Sequence, residues 1–175
     1  MSDAHLGLFY LRPFPSILPS SRGLASWGSD GLFMYDLSAA NPPRSASFRF
    51  PFGMPARNGV VPFSTGWLVI YGGKYFILRP GEVRSPQQIG LIGIDGHDLY
   101  GKPTLFGNTL FVADAMGGHV TAVDITNIDQ PKLLAEMNLP EHPGYIIEAN
   151  GLALIPSGYQ GLLLWRYRDG ISGHE

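Results

Sequence analysis

Short apolar segments recur along the chain at nearly constant intervals, and each is entered through a glycine or an asparagine. The segments reach Leu24, Leu68, Leu110 and Leu152, in steps of 44, 42 and 42 residues. After a turn that contains glycine, each is followed by a second apolar run, at 31–37, 74–80, 119–125 and 161–167. A repeat of this length predicts a chain built from similar structural units.

Two further apolar runs follow in each of the first three units, and they indicate the type of repeat. A third run lies at 45–50, 87–93 and 131–137, and a fourth at 59–63, 102–106 and 144–148. Four short strands in about 42 residues, with turns between them, are typical of propeller blades. The sequence therefore predicts an all-β fold, a β-propeller of four-stranded antiparallel blades.

The second run of the third unit, "HVTAVDI" (119–125), is apolar on both sides of a strand. Strands with this pattern are covered on both faces, as a blade is by its neighbours. The following run has an alternative interpretation, because Asp129, Pro131 and "KLLAEMNL" also fit a short helix with an N-cap and a proline in its first turn. The sequence therefore allows either a strand or a short helix in this run.

The chain is long enough for one domain over 1–175. We expect blades at about 24–63, 67–106, 109–148 and 151–167, with 7–19 supplying the missing strands of the last blade. An unclosed stack would leave an apolar face at each end, so closure is required. This favours four blades, and the alternative is part of a larger propeller.

The segment "LFVADAMGGHVTAVDITNIDQPKLLAEMNLP" (110–140) resembles the LVIVD repeat of bacterial and archaeal β-propeller proteins. It shares the apolar strand, the Ala-Asp, the Gly-rich turn, the Val-Asp-Ile strand end and the later Pro-Lys-Leu. The segments 33–48 and 75–90 keep less of this pattern. The resemblance implies a propeller fold and a role as a repeat scaffold, often at a cell surface, without shared catalytic residues.

Composition excludes several classes of protein. The 12 basic and 14 acidic residues give a net charge of −2, so no nucleic-acid partner is expected. No cysteine is present, which excludes disulfides and thiolate chemistry. No apolar run is long enough for a membrane span, and no signal peptide is recognised, so we expect a cytoplasmic chain as given. A cell-surface location stays open if the chain is a fragment.

Strong catalytic motifs are missing from the sequence, including G-x-S-x-G, H-E-x-x-H and the P-loop. The first hypothesis is therefore a non-catalytic scaffold, without a cofactor, that binds a protein or a small molecule. Propeller loops emerge on two faces, and one face should carry the candidate binding residues. These are His97, Asp98, Asp114, His119 and His142. Asn127, Asp129 and Gln130 should lie on the opposite face.

The candidate set supports a second hypothesis, because imidazole and carboxylate groups bind zinc, manganese or iron and also form acid–base pairs. A metal-dependent hydrolase or lyase is thus the alternative function. The simpler interpretation is that these residues satisfy their own turns. In the turn after Asp114, that residue should cap the backbone, and Gly117 and Gly118 should both adopt positive φ.

Overall fold

The computed structural model describes residues 16–19, 23–28, 31–36, 44–48, 59–79, 91–140 and 142–166. In this part of the chain, every element apart from one short 3-10 turn is a β-strand, which confirms the all-β prediction. None of these residues forms a helix of the length and hydropathy needed to cross a membrane.

Four sheets follow one another along the chain, and the strands of the first, third and fourth sheets pair antiparallel. In each sheet, strands that are consecutive in sequence are neighbours in space. The first sheet contains β1 (Ser16–Pro19), β2 (Gly23–Gly28), β3 (Gly31–Asp36) and β4 (Arg44–Phe48). The second contains β5 (Gly59–Phe63), β6 (Gly66–Tyr71) and β7 (Lys74–Leu78). The third contains β8 (Lys102–Phe106), β9 (Thr109–Asp114), β10 (His119–Asp124) and β11 (Lys132–Asn138). The fourth contains β12 (Ile147–Ala149), β13 (Leu152–Pro156) and β14 (Leu162–Arg166).

The sheets begin one strand earlier than the predicted blades. The run 59–63, assigned to the end of the first blade, pairs with β6, and 102–106 likewise pairs with β9. Residues 16–19 pair with β2 instead of completing the last blade, and residues 7–12 lie outside the described part of the chain. This corrects the predicted blade boundaries and the role of 15–19.

The physical reason lies in the turns that precede the first apolar runs. Asn150 and Gly151 separate β12 from β13, and both have positive φ, at 52° and 75°. Two such residues form the tight turn that best matches the twist of an antiparallel hairpin. Gly107-Asn108 and Asn150-Gly151 therefore each lie at the centre of a hairpin instead of at a boundary between blades.

Residues 132–138 form the strand β11, so the short-helix alternative is wrong. Even-numbered residues from Lys132 to Asn138 are exposed and the odd-numbered ones are half-buried, as the two-residue period of a strand requires. The pairing of β11 with β10 shifts between Ala122 and Val123. Ala122 lies opposite Ala135 and Val123 opposite Leu133, so Leu134 is an extra residue in a β-bulge.

The chain forms two compact units, and each has its own set of residues. One contains 1–55, 62–68 and 77–90, and therefore the first sheet. The other contains 56–61, 69–76 and 91–175, and therefore the third and fourth sheets. The expected single domain over 1–175 stays a prediction.

The larger unit has a core between its third and fourth sheets. Phe111 and Val120 of the third sheet pack with Ala153 and Ile155 of the fourth, and Trp165 covers this cluster from β14. Phe111 is fully buried, and its ring lies 5.3 Å from that of Trp165, edge to face. All six residues of β9 are buried, so this strand is covered on both faces.

Candidate functional site

A surface groove crosses the larger unit between two loops. Its first part, of about 540 Å³, is lined by Lys74 and residues 93–98. An adjoining part of about 400 Å³ shares Gly93, Ile94, Asp95 and His97 and adds 129–131 and Leu133. We call this surface the His97 groove. Its polar lining comes from three carboxylates, one ammonium group, one imidazole and one amide side chain, in Asp95, Asp98, Asp129, Lys74, His97 and Gln130.

Residues 91–99 form the first wall and are held against the start of β7. Tyr75 and Ile92 exchange two backbone hydrogen bonds of 2.9 and 2.7 Å, and the Leu99 N–H donates to the Gly73 carbonyl at 2.8 Å. Between these points the His97 N–H donates to the Ile94 carbonyl at 3.0 Å, across the Asp95-Gly96 turn. Backbone bonds therefore fix this wall at both ends.

The loop from β10 to β11 forms the second wall and is ordered by its own side chains. The Asp124 carboxylate accepts the Thr126 N–H at 2.8 Å, and the Asn127 side-chain oxygen accepts the Asp129 N–H at 3.2 Å. Hydrogen bonds from Thr126 lower the pKa of Asp124, because they stabilise its charged form. The Gln130 N–H donates to the Asn127 carbonyl at 3.1 Å, so the loop is a chain of tight turns.

Tyr75 joins the two walls. Its ring is fully buried, and its hydroxyl donates to the Ile128 carbonyl at 2.5 Å. Burial raises the pKa of the phenol, and the nearby Asp129 carboxylate raises it further. The hydroxyl thus stays protonated over the whole physiological range and holds the second wall to β7.

Replacing Tyr75 by phenylalanine should lower the free energy of unfolding by about 1 kcal/mol, because the Ile128 carbonyl loses its donor. The folded-state pKa lies above that of the unfolded chain, so the unfolded chain releases this proton first and the wild type loses stability above about pH 10. The Tyr75→Phe variant should lose less stability than the wild type above this pH. Urea unfolding between neutral pH and about pH 11 measures both effects. Tyr159→Phe, at a fully exposed tyrosine, is the control, and an equal effect there would contradict the interpretation.

A side-chain contact joins the first wall of the groove to the edge of the third sheet. The His97 Nδ1 lies 3.0 Å from the Glu136 Oε1, and about a third of each side chain is exposed. Contacts this exposed contribute at most about 1 kcal/mol. The contact positions His97 more than it stabilises the fold.

Asp114 and His119 face each other across the hairpin from β9 to β10. The buried Asp114 carboxylate accepts the Met116 N–H at 2.9 Å, which confirms the predicted cap. Gly118 has the expected positive φ of 70°, but Gly117 does not, so that prediction is wrong. Gly117 is required for space instead, because a Cβ there would lie 2.5 Å from the Asp114 Oδ2 and 3.2 Å from the His119 Nδ1.

The structure places four of the five candidate residues in two pairs. His97 and Asp98 line the His97 groove, Asp114 and His119 share a hairpin, and the exposed His142 follows β11. Within the described residues, no three side chains of histidine, aspartate or glutamate are grouped as metal ligands.

The predicted sorting of the loops onto two faces is wrong for the His97 groove. His97, expected on one face, and Asp129 and Gln130, expected on the other, line the same depression. The reason is that 91–99 runs beside β7 with a tight turn of its own, which brings His97 to the loop after β10. Sequence reasoning also missed Lys74, Asp95 and Glu136 as neighbours of His97. The Asp95-Gly96 pair is a recognisable turn sequence. No pattern in the local sequence, however, predicts that this turn lies close to Asp129.

No known protein family matches the sequence, and no curated protein matches it. Among solved structures, 87% of this chain is similar to the computationally designed Ika8 protein, with a TM-score of 0.59 and 12% identity. The designed Ika4 protein gives a TM-score of 0.58 at 14% identity, again over 87% of this chain. AztD from Citrobacter koseri gives 0.45 at 12% identity over 81% of this chain. The matched region spans 45% of Ika8, 89% of Ika4 and 40% of AztD. At these identities the likeness concerns the fold alone.

Proposed function

We propose that this protein is a non-catalytic β-propeller scaffold that binds a protein or small-molecule partner in the His97 groove. Its sheets are the blades, four in number or part of a larger ring, and 110–140 is a repeat of the LVIVD type. Two observations support the propeller: consecutive strands pair within each sheet, and the third and fourth sheets pack face to face.

The main support for a binding function is the rigidity of the His97 groove. Backbone pairs hold its first wall, side-chain turns hold the second, and Tyr75 ties the second wall to β7. A groove formed in advance loses little conformational entropy when a partner binds, which raises affinity. Rigid loops on a stable scaffold are also where binding residues are concentrated.

Filling the groove tests this function. Gly96 lines it with a φ of 76°, and a Cβ there meets nothing within 4 Å, so Gly96→Trp should block the groove at a modest cost in backbone strain. Gly151 has the same φ, 75°, and the same open surroundings, but it is not part of the groove lining. Gly151→Trp is therefore a control matched in strain and in size.

The measurement is quantitative recovery of partners by the wild type and both variants from cells that make the protein. Recovery of proteins that the wild type binds should fall at least about tenfold with Gly96→Trp, which corresponds to a loss of about 1.4 kcal/mol in binding free energy. With Gly151→Trp the recovery should stay at the wild-type level. For small molecules, the measurement is the rise in melting temperature that each compound causes in the wild type and in both variants. Partners that Gly96→Trp retains in full, or that both variants lose equally, would refute a site in this groove.

A further inference from the structure

The turn between β12 and β13 consists of an Asn-Gly pair, and this pair has a chemistry of its own. The side-chain amide carbon of Asn150 is an electrophile, and the backbone nitrogen of Gly151 is the nucleophile nearest to it along the chain. Glycine lacks a Cβ, so it leaves this approach unhindered and lets the backbone rotate. Asn150 is therefore a candidate for loss of its side-chain amide.

The reaction takes place within these two residues and exchanges only water, protons and ammonia with the solvent. The Gly151 nitrogen gives its proton to hydroxide and attacks the Asn150 Cγ. The new bond closes a cyclic imide, the bond from Cγ to the side-chain nitrogen breaks, and that nitrogen takes a proton from water and leaves as ammonia, which restores the hydroxide. Water then opens the imide. Cleavage of the bond from Cγ to nitrogen gives aspartate, and cleavage of the bond from the backbone carbonyl carbon to nitrogen gives isoaspartate.

The Glu148 side chain restrains the nitrogen that must react. The Gly151 N–H donates to the Glu148 Oε1 at 2.7 Å, a short hydrogen bond to a carboxylate. A carboxylate is far too weak a base to remove a backbone amide proton, so this contact does not activate the nitrogen. The negative charge of the carboxylate instead opposes the charge that the nitrogen acquires when its proton leaves. The contact therefore slows the attack on Asn150.

The backbone of the turn adds a second restraint. Asn150 and Gly151 both have positive φ, and the flanking residues Ala149 and Leu152 are paired across the hairpin. Closing the imide requires the Asn150 Cβ and the Gly151 nitrogen to eclipse each other about the Cα–C bond, which a turn of this type does not allow. The hairpin must therefore open before Asn150 reacts.

We propose that Asn150 is a site of spontaneous deamidation and that Glu148 controls its rate. Asn150 stays intact while the hairpin is closed and the Gly151 N–H donates to Glu148, and each opening of the turn permits an irreversible change. Both restraints lie within residues 147–154 of one hairpin. The inference therefore depends neither on the His97 groove nor on what covers the fourth sheet.

The products change the fourth sheet in a defined way. Aspartate at position 150 places a second carboxylate beside that of Glu148. Isoaspartate adds a methylene group to the main chain at the centre of the turn, which disrupts the register that places Ala149 opposite Leu152. Because β13 contributes Ala153 and Ile155 to the core, we expect the modified chain to be less stable.

Peptide mapping by mass spectrometry of the 175-residue chain, incubated in mildly alkaline buffer, tests the proposal. The wild type should convert Asn150 slowly to aspartate and isoaspartate. Glu148→Ala should raise this rate at least about fivefold, the factor that a typical hydrogen bond contributes. Glu148→Gln keeps an oxygen acceptor without the charge, so its rate should lie between the two. Stability to urea should fall as isoaspartate accumulates.

Two controls belong to the same experiment. Glu136→Ala removes a carboxylate of β11 that contacts His97, and it should leave the rate at Asn150 unchanged. The other Asn-Gly pair of the chain, Asn58-Gly59, should react at one rate in all variants. A changed rate there would show that Glu148→Ala unfolds the whole chain, and Glu148→Gln then decides the test. A rate at Asn150 that neither Glu148 variant raises would overturn the proposal, as would a wild type whose Asn150 is still intact after incubation unfolded in urea.

Discussion

Replacing Gly101 by alanine should lower the free energy of unfolding by about 3–5 kcal/mol. Gly101 has a φ of 116°, a conformation essentially reserved for glycine, which costs another residue about 1–3 kcal/mol. A Cβ at this position would also overlap the backbone carbonyl of Ala113 and lie 2.7 Å from the Asp114 nitrogen. Backbone inside a sheet cannot move aside as a flexible side chain can, and such overpacking adds about 1–3 kcal/mol.

Gly151→Ala separates the two contributions. Gly151 also has positive φ, but a Cβ there meets nothing within 4 Å, so this variant carries the conformational cost alone. We expect a loss of about 1 kcal/mol, measured with the Gly101 variant by urea unfolding. Equal losses for the two variants would show that β9 does not lie as close to Gly101 as described.

Truncating Phe111 to alanine should cost about 3–5 kcal/mol, the range for large aromatic residues in a core. Phe111 is fully buried and lies between two rings, 5.6 Å from Phe106 and 5.3 Å from Trp165 between ring centroids. Its removal leaves a cavity where the third and fourth sheets pack. The loss comes from buried apolar area and from the edge-to-face contact with Trp165.

Leu134→Ala is the control for Phe111→Ala, because this side chain is 53% exposed and lies in the bulge of β11. We expect less than about 1 kcal/mol for it. Denaturant unfolding of both variants measures the two losses of stability. A loss below about 1 kcal/mol for Phe111→Ala would mean that the two sheets do not share this core.

The strands were predictable because their signal is local. Short apolar runs bounded by turn residues indicate β9 and β10, and the buried runs around Leu110 and Val123 are both strands as expected. The predicted grouping of strands into sheets was wrong, although the sequence itself carried the correct signal. Asn150-Gly151 is a strong hairpin sequence, and treating it as the start of a unit placed β12 in the wrong sheet.

The candidate site was harder to predict, because it depends on contacts between distant residues. The hydroxyl of Tyr75 reaches a carbonyl 53 residues away, and His97 reaches Glu136 across 39 residues. No periodicity in the chain encodes these pairs. The cap formed by Asp114 was predictable, since its acceptor and donor lie two residues apart.

The bulge at Leu134 has a consequence for solubility during synthesis and storage. β11 is an edge strand of seven residues, long enough for an identical strand from another molecule to pair with it and begin a fibril. The extra residue interrupts the regular spacing of amide and carbonyl groups, and Lys132 and Glu136 add charges to the same edge. Deleting Leu134 would restore a regular ladder and leave this edge more prone to amyloid-like growth.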